Sequence, residues 1–378
     1  MRDGWSETTL DGIADVIMGQ SPDGKSYNQE GKGLPFMQGS AEFGEHSPLP
    51  EKWCSDPKKI AEPGDLLLSV RAPVGDTNFA DQRIAIGRGL SIIRANKESL
   101  TEFIRLVIQL NVAELIASSG SGMFASITGK NLKEFKVNLP TLPEQKRIVD
   151  LISSVDSYIE ALQQQLESAK RSRNAVLHEL LTAGGDDWVV RKLPEVVEVL
   201  DRMRKPINST EREDRKGNIP YYGANGQTGW IDEFIFNEEL VLLGEDAIDF
   251  ADPSARKAYL IQGPSWVNNH AHVLRADKTI VNSYFLMESL NKVDYSQYVS
   301  FGTRSKLTQA SMNGIKLLIP PMNIQEKFVD LLENFDKVIE ATQRSIEDSK
   351  ELRTGMLSNL LSGEHEIPTS YDKFIGAA

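Results

Sequence analysis

A stretch of 43 residues occurs twice in this chain, and that repeat limits the fold more than any other property of the sequence. Residues 139–181 lie over residues 319–361 at a constant shift of 180 with no gap. Pro140, Gln145, Val149, Asp150, Leu151, Asp156, Ile159, Glu160, Ala161, Gln163, Glu167, Lys170, Arg173, Leu177, Leu180 and Leu181 meet the identical residue in the second copy. A fold that ignored a repeat of this length would misplace everything around it. From Ile148 the seam steps by four and three through Ile152, Val155, Ile159, Leu162, Leu166, Ala169, Arg173, Val176 and Leu180. That spacing keeps one face of a helix against a partner helix. The second copy answers slot for slot with Phe328, Leu332, Phe335, Ile339, Thr342, Ile346, Ser349, Arg353, Met356 and Leu360. At roughly 1.5 Å per residue, about 40 residues make a rod of about 60 Å. With two such segments in one chain, the simplest arrangement pairs them with each other as an antiparallel coiled coil.

Both seams are interrupted at the same slot, by Arg173 and Arg353, where a charge costs stability and fixes register. If the two arginines meet or stack, the seam is tuned for register over stability. An Arg173→Leu, Arg353→Leu variant should then melt no lower than the parent.

The 378 residues suffice for two or three ordinary domains, and 40% hydrophobic content suffices for their cores. The single cysteine, Cys54, excludes an internal disulfide and a cysteine-rich zinc site, and it suits a reducing compartment, so the cytoplasm is the expected location. Met1-Arg2-Asp3-Gly4-Trp5 opens no apolar run of signal-peptide length, and no stretch approaches the roughly 18 apolar residues of a membrane span, so no membrane association is expected. A formal charge of −12 excludes a protein that grips nucleic acid by bulk electrostatics, because neutralising phosphates takes a local excess of Lys and Arg. The acid excess is spread thinly along the chain, which leaves room for arginines clustered on one face.

Residues 1–139 read as a mixed α/β module. Gly19-Gln20-Ser21-Pro22-Asp23-Gly24 is a loop by its Gly and Pro, Leu34-Pro35-Phe36-Met37 opens an extended run, and Asp65 to Val70 is a buried strand. Ala85 to Arg94 reads as another strand, Leu100 to Ser118 as a helix, Ser119-Gly120-Ser121-Gly122 as a flexible link and Leu132 to Leu139 as a returning strand. The first long helix takes 140–183, entered through Pro140 and Pro143 with Thr141 as a cap and left through Gly184-Gly185. Residues 184–319 echo the first module: Trp188 and Leu193 stand as Trp5 and Leu10 do, Ile219-Pro220-Tyr221-Tyr222-Gly223 as Leu34-Pro35-Phe36-Met37-Gln38, and Val273-Leu274-Arg275-Ala276 as Ile92-Ile93-Arg94-Ala95. The second long helix takes 320–364, and 365–378 read as a poorly ordered polar tail. The expected fold is therefore α/β (α+β), two globular modules and two long helices forming an internal pseudo-twofold repeat.

This layout resembles the specificity subunit of type I restriction–modification systems over the whole chain except the tail. The most specific pieces are Leu139-Pro140-Thr141-Leu142-Pro143-Glu144-Gln145-Lys146 before the first helix and Ile319-Pro320-Pro321-Met322-Asn323-Ile324-Gln325-Glu326-Lys327 before the second. Ile219 to Gly226 with Gly244-Glu245-Asp246, and Gly19-Gln20-Ser21-Pro22, look similar to target-recognition segments of that family. The second linker departs mildly, with Asn323 and Ile324 where the first has Pro143 and Glu144. The resemblance implies a chain without chemistry of its own. Its two target-recognition domains would each read one half of a split sequence in double-stranded DNA, and the helices would set the unread spacer. It implies as partners two methyltransferase subunits using S-adenosylmethionine and two motor-nuclease subunits driven by ATP with Mg, and no cofactor bound by this chain.

The catalytic signals are weak. No Gly-rich methyltransferase loop and no Asn/Asp-Pro-Pro-aromatic motif occurs, and Ile319-Pro320-Pro321-Met322 lacks the leading amide or carboxylate. Gly122 to Lys130 has six residues between its glycines where a phosphate loop has four, and Asn131 stands where the motif has Ser or Thr. Pro22-Asp23 with Glu30 and Lys32 imitates a nuclease carboxylate pair but sits in a Gly-rich loop. His270 and His272 are spaced for one face of a strand, yet no third metal ligand is signalled, so DNA contact or core hydrogen bonding is preferred.

For DNA contact the basic clusters are Arg202-Met203-Arg204-Lys205 and Thr303-Arg304-Ser305-Lys306, with Arg71, Arg83 and Arg88 in the first module. Gln38, Ser40, Asn225 and Thr228 carry side chains that read base edges, and Tyr222 and His270 join the candidates. Replacing Arg204 and Arg304 with alanine is expected to weaken DNA binding. A second apolar stripe, Leu151, Tyr158, Leu177 and Leu181 with Leu331, Val338, Leu357 and Leu361, is either a wide seam or a docking surface for methyltransferase subunits. The rival to the DNA-reading function is a coiled-coil adaptor, an orphan or decoy that binds the methyltransferase without reading DNA.

Overall fold

The computed structural model describes residues 4–45, 47–117, 126–299 and 305–374. The chain folds into two compact units, Met1–Gln164 with Gln343–Ala378, and Gln165–Thr342. The long helices, Leu142–Thr182 and Met322–Ser362, are 41 residues each. Each gives one half to each unit, so the compact units run through the helices rather than stopping at them.

In the first unit, Leu66–Ser69 is buried at every position because it lies inside an antiparallel sheet in the order Ala14–Met18, Leu90–Ala95, Leu66–Ser69, Thr77–Phe79. A five-stranded sheet holds Leu34–Met37 between Lys52–Cys54 and Ile84–Ile86, the last pair parallel. Cys54 is buried there beside Phe36 and Ala85. The single strand expected over 85–94 is thus two strands in two sheets. The break falls at Gly87-Arg88-Gly89, where a Cβ on Gly89 would stand 2.2 Å from the Gln38 carbonyl oxygen. Thr101–Ala117 is a helix that buries Phe103, Ile104, Leu106, Val107, Ile108 and Leu115. The strand expected over 132–139 begins later, because the Thr128 side chain accepts from the Asn131 amide and starts the short helix Gly129–Lys133. Lys136–Leu139 then pairs with Ser6–Thr9. The link at 119–122 lies outside the described residues.

The second unit repeats the plan. Its first sheet runs Val197–Val199, Ala271–Ala276, Leu240–Gly244, Ala258–Ile261, again antiparallel. Its second runs Gly226–Ile231, Ile219–Gly223, Pro264–Val267, Phe236–Asn237, again with one parallel pair, Tyr221 beside Trp266. Val189–Lys192 pairs with Lys316–Ile319 as Ser6–Thr9 does with Lys136–Leu139.

Within each unit the helix halves are antiparallel. In the first, Ile148 and Ile152 pack with Leu357, Leu360 and Leu361; in the second, Leu177 packs with Phe328, Val329 and Leu332. Each such buried side chain contributes about 2 kcal/mol relative to leaving it in water. Of the seam residues, Ile152, Ile159, Leu166, Leu332 and Ile346 are buried, and Val155, Leu162, Phe335 and Ile339 half-buried. Leu177 and Leu357 are each only 2% exposed and belong to the two cores. As docking positions they are corrected: the modules already cover them.

Arg173 and Arg353 do not stack. Each pairs inside its own unit with the aspartate that the repeat preserves. Arg353 holds Asp156 in a fork, with Nη2 to Oδ2 at 2.9 Å. Arg173 holds Asp336 through Nε at 2.5 Å and Nη2 at 3.1 Å, and Nη2 also donates to Glu288 at 2.7 Å and Tyr284 at 2.9 Å. The premise that the two arginines meet therefore fails: Arg173 instead pairs with Glu288, 3% exposed at its side chain, and with the half-exposed Asp336.

A second preserved pair joins the helices to the modules. Gln145 is fully buried: its Oε1 accepts from the Leu100 amide at 2.9 Å, and its Nε2 donates to the carbonyls of Glu98 and Pro140, both at 2.9 Å. Gln325 does the same with the Asn282 amide at 2.8 Å and the carbonyls of Ile280 and Pro320 at 2.9 and 2.8 Å. Through Phe374 the tail is not loose. Ile367 is 6% exposed in the first core, Asp372 takes a hydrogen bond from Arg147 Nε at 2.6 Å, and the Tyr371 hydroxyl donates to Asp150 at 3.0 Å.

Candidate nucleic-acid interface

At one edge of the first unit, two exposed arginines flank open clefts. Arg71 leaves the end of Leu66–Ser69 and bridges to Ser126 through the backbone, while the Ile127 amide donates to the Val70 carbonyl at 2.9 Å. Arg88 sits in the turn between the two sheets, its amide 3.5 Å from Ser21 Oγ. The turn can come this close because residue 19 is glycine: a Cβ there would stand 2.1 Å from the Gly87 oxygen. Both arginines line a cleft of about 600 Å³ with Met18, Ser126 and Thr128, and a neighbouring one of about 400 Å³ with Gln38, Ser40 and Ser69. Gln38 and Ser21 bond each other at 3.2–3.3 Å, and Ser40 donates to Asp76 at 2.9 Å. Among the described residues neither the Arg71 nor the Arg88 side chain has an ion pair or a hydrogen bond. Arg83 instead pairs with Glu62 at 3.3 Å.

Hydrogen-bond equivalence fixes which residues of the second unit hold the same places. The Leu307 amide donates to Glu245 as Ile127 does to Val70, and the Asn268 amide donates to Tyr222 as Gly87 does to Met37. Asp246 therefore replaces Arg71, Lys306 replaces Ser126, His272 replaces Ser91 and Asn269 replaces Arg88. The place of the cleft is taken by an internal network. Arg204 binds Glu245 at 2.8 Å, Asp201 at 3.4 Å and the Ala271 carbonyl at 2.7 Å, and Lys306 binds Glu245 at 2.9 Å. His272, 1% exposed, places Nδ1 2.6 Å from Asp201 and Nε2 2.8 Å from the Leu307 carbonyl. Burial alone would raise the Asp201 carboxyl, but hydrogen bonds from His272 and the Val273 amide hold it below its usual 3.8. Burial likewise opposes ionisation of Glu245, and Lys306 and Arg204 hold it below 4.5.

This changes what Arg204 does. With its side chain 14% exposed, it holds two buried carboxylates rather than presenting a free guanidinium. Arg204→Ala should lower the second unit's unfolding free energy by about 3 kcal/mol, because it strands buried charge; calorimetry of the full chain checks this. The network's carboxylates sit below their usual values, so their stabilisation is present above about pH 4.5 and is lost as pH falls further.

The remaining sequence candidates divide. Arg202 and Lys205 are exposed, and Thr228 is exposed with its hydroxyl 3.4 Å from the Tyr221 carbonyl. Asn225 is exposed, its amide donating to the Ala247 carbonyl at 2.9 Å. Tyr222 is half-buried against Tyr259, and His270 is bonded to Asp246 at 2.7 Å. Thr303 and Arg304 lie outside the described residues. The two histidines each take a separate aspartate, and among the described residues no group of three His, Cys, Asp or Glu is placed to hold a metal ion. Glu30 is tied to Lys32 at 2.5 Å. Among the described residues no helix is long and apolar enough to cross a membrane. Asn269, exposed at the place of Arg88, was not singled out in the sequence; the echo of Ile92-Ile93-Arg94-Ala95 in Val273-Leu274-Arg275-Ala276 carries the same shift, and the hydrogen-bond register fixes the match.

The fold defines a class: two copies of one α/β module, each closed by antiparallel halves of two shared helices. The chain belongs to the family described as the type I restriction modification DNA specificity domain, whose profile matches residues 2–171 and 185–348. It is 41% identical over 168 residues to a putative type I restriction enzyme MjaX specificity subunit of Methanocaldococcus jannaschii, covering 44% of this chain and 40% of that one. The match therefore spans less than half of that relative's length. A type I restriction enzyme MjaIX specificity subunit of the same organism is 23% identical over 96% of this chain and 94% of its own. Two solved structures share the fold at 17% identity. One is a type I restriction-modification S subunit from M. genitalium, with TM-score 0.60 over 94% of this chain and 96% of that one. The other is an HsdS subunit from Thermoanaerobacter tengcongensis, with TM-score 0.52 over 97% of this chain and 98% of that one.

Proposed function

We propose that this chain is the DNA-reading, non-catalytic subunit of a type I restriction–modification complex, each module reading one half of a split target in duplex DNA and the helices setting the spacer. The observation that carries this reading is the open cleft of the first unit, rimmed by Arg71 and Arg88 without protein partners among the described residues, in a chain whose net charge is −12. Free guanidinium groups at a cleft suit phosphates and guanine edges. An adaptor that reads no DNA has no task for them. Methylome sequencing of a host with and without the gene tests the function: one new bipartite motif supports it, and an unchanged methylome overturns it.

The chemistry then lies in partners: two methyltransferase subunits with S-adenosylmethionine and two motor-nuclease subunits with ATP and Mg, this chain binding no cofactor. Their docking is assigned to the helix residues that remain exposed after Leu177 and Leu357 are removed: in the first unit Tyr158, 56% exposed, with the half-buried Leu151, and in the second unit Leu331 and Val338, 43 and 47% exposed. A Tyr158→Glu, Val338→Glu variant should lose capture of the methyltransferase subunit by at least tenfold while its melting temperature stays within about 2 °C, since surface substitutions cost little. Retained capture would reject this surface.

A further inference from the structure

Among the described residues the two units differ at a rim position that is polar, exposed and without a side-chain partner in both. In the first unit it is Arg88 and in the second Asn269, and neither side chain has an ion pair or hydrogen bond among the described residues. The match of these places rests on backbone geometry. Gly87 donates to Met37 at 2.7 Å and Asn268 to Tyr222 at 3.0 Å, each after a parallel strand pair, and the next sheet's central strand begins three residues later, at Leu90 and Ala271. The other charged rim position differs: the Arg71 side chain has no partner among the described residues, but its counterpart Asp246 is occupied by His270 at 2.7 Å.

We infer that this position is the base reader of each module, that Arg88 selects guanine in the half-site of the first unit, and that Asn269 selects adenine in the half-site of the second. The chemistry follows from the side chains. A guanidinium presents two parallel N–H donors that match O6 and N7 of guanine in the major groove, whereas a carboxamide donates to N7 and accepts from N6 of adenine. Arg71, which lines the same cleft, keeps the sequence-independent task of a phosphate contact.

The inference rests on the proposed DNA-reading function, and one experiment separates the two. The full chain, assembled with its methyltransferase partner, selects duplexes from a pool randomised over both half-sites, in parent form and as Arg88→Lys, Arg88→Asn and Asn269→Arg variants. The parent should select a split motif with guanine at a position of one half and adenine at a position of the other. Arg88→Lys keeps the charge but loses the fork, so it should bind with an unchanged salt slope while discrimination at the guanine falls about tenfold or more. Arg88→Asn should lose the guanine preference in the same half only, and Asn269→Arg should lose the adenine preference in the other half only. A split motif that all three variants leave unaltered overturns the base assignment and leaves the DNA-reading function standing. No sequence-dependent selection by the parent overturns both. Circular dichroism confirms that these exposed substitutions leave the fold intact, and a variant that unfolds places its residue in the structure and counts against the assignment.

Discussion

Replacing Arg173 with leucine should destabilise the second unit by about 3–5 kcal/mol, seen as a fall of about 10 °C or more in its melting temperature. The size follows from what the arginine leaves behind. Glu288, 3% exposed at its side chain, and Asp336 both point at the guanidinium, and Tyr284 donates to Asp336 while accepting from Arg173. Removing one partner of a buried pair costs more than the pair was worth, because the remaining carboxylate keeps its charge without water or counter-ion. Arg256 stands 3.4 Å from Glu288 but is 64% exposed, so it offsets only part of the loss. Arg353→Leu should cost less, since Asp156 is 36% exposed and can regain water. If scanning calorimetry found the Arg173 variant as stable as the parent, the arginines would be register devices after all.

The second large effect is electrostatic and falls on DNA. An Arg71→Ala, Arg88→Ala variant should bind duplex about 10–100-fold more weakly near physiological salt, and the slope of log K against log salt should shrink by about one, from the phosphate contact of Arg71. The comparison is Arg83→Ala. That arginine is exposed on the same unit but paired with Glu62, and its loss should leave both quantities within error. Equal effects from Arg83 and from the Arg71 and Arg88 pair would mean that the first unit acts through diffuse charge and not through the cleft.

Much of this fold was legible in the sequence because a repeat with identical spacing leaves few arrangements. The helix seams, the two modules and the strand Leu66–Ser69 could be read from period and burial pattern alone. Other roles depend on contacts that are distant in sequence. The identity of Gln145 with Gln325 was visible, but not that each ties three backbone groups around the start of a module helix, because those partners lie 5 to 47 residues away. Asp156 and Asp336 were likewise counted as matches before their arginine partners, 197 and 163 residues away, gave them a purpose. The interface was read least well. Residue type marked Arg204 and Arg88 alike as DNA contacts, whereas burial separates them: one neutralises two internal carboxylates and the other has no partner among the described residues. A list of arginines carries no information about which carboxylates reach them first.

In the proposed function one chain presents two separate readers to one duplex. Hydroxyl-radical footprinting of the full chain with its methyltransferase partner, on the duplex it selects, tests this most directly. Two protected tracts flanking an unprotected spacer of fixed length, with the protection of one tract alone weakened by Arg71→Ala, is the result this account requires. A single continuous tract, or loss of both tracts together from that one substitution, would contradict it.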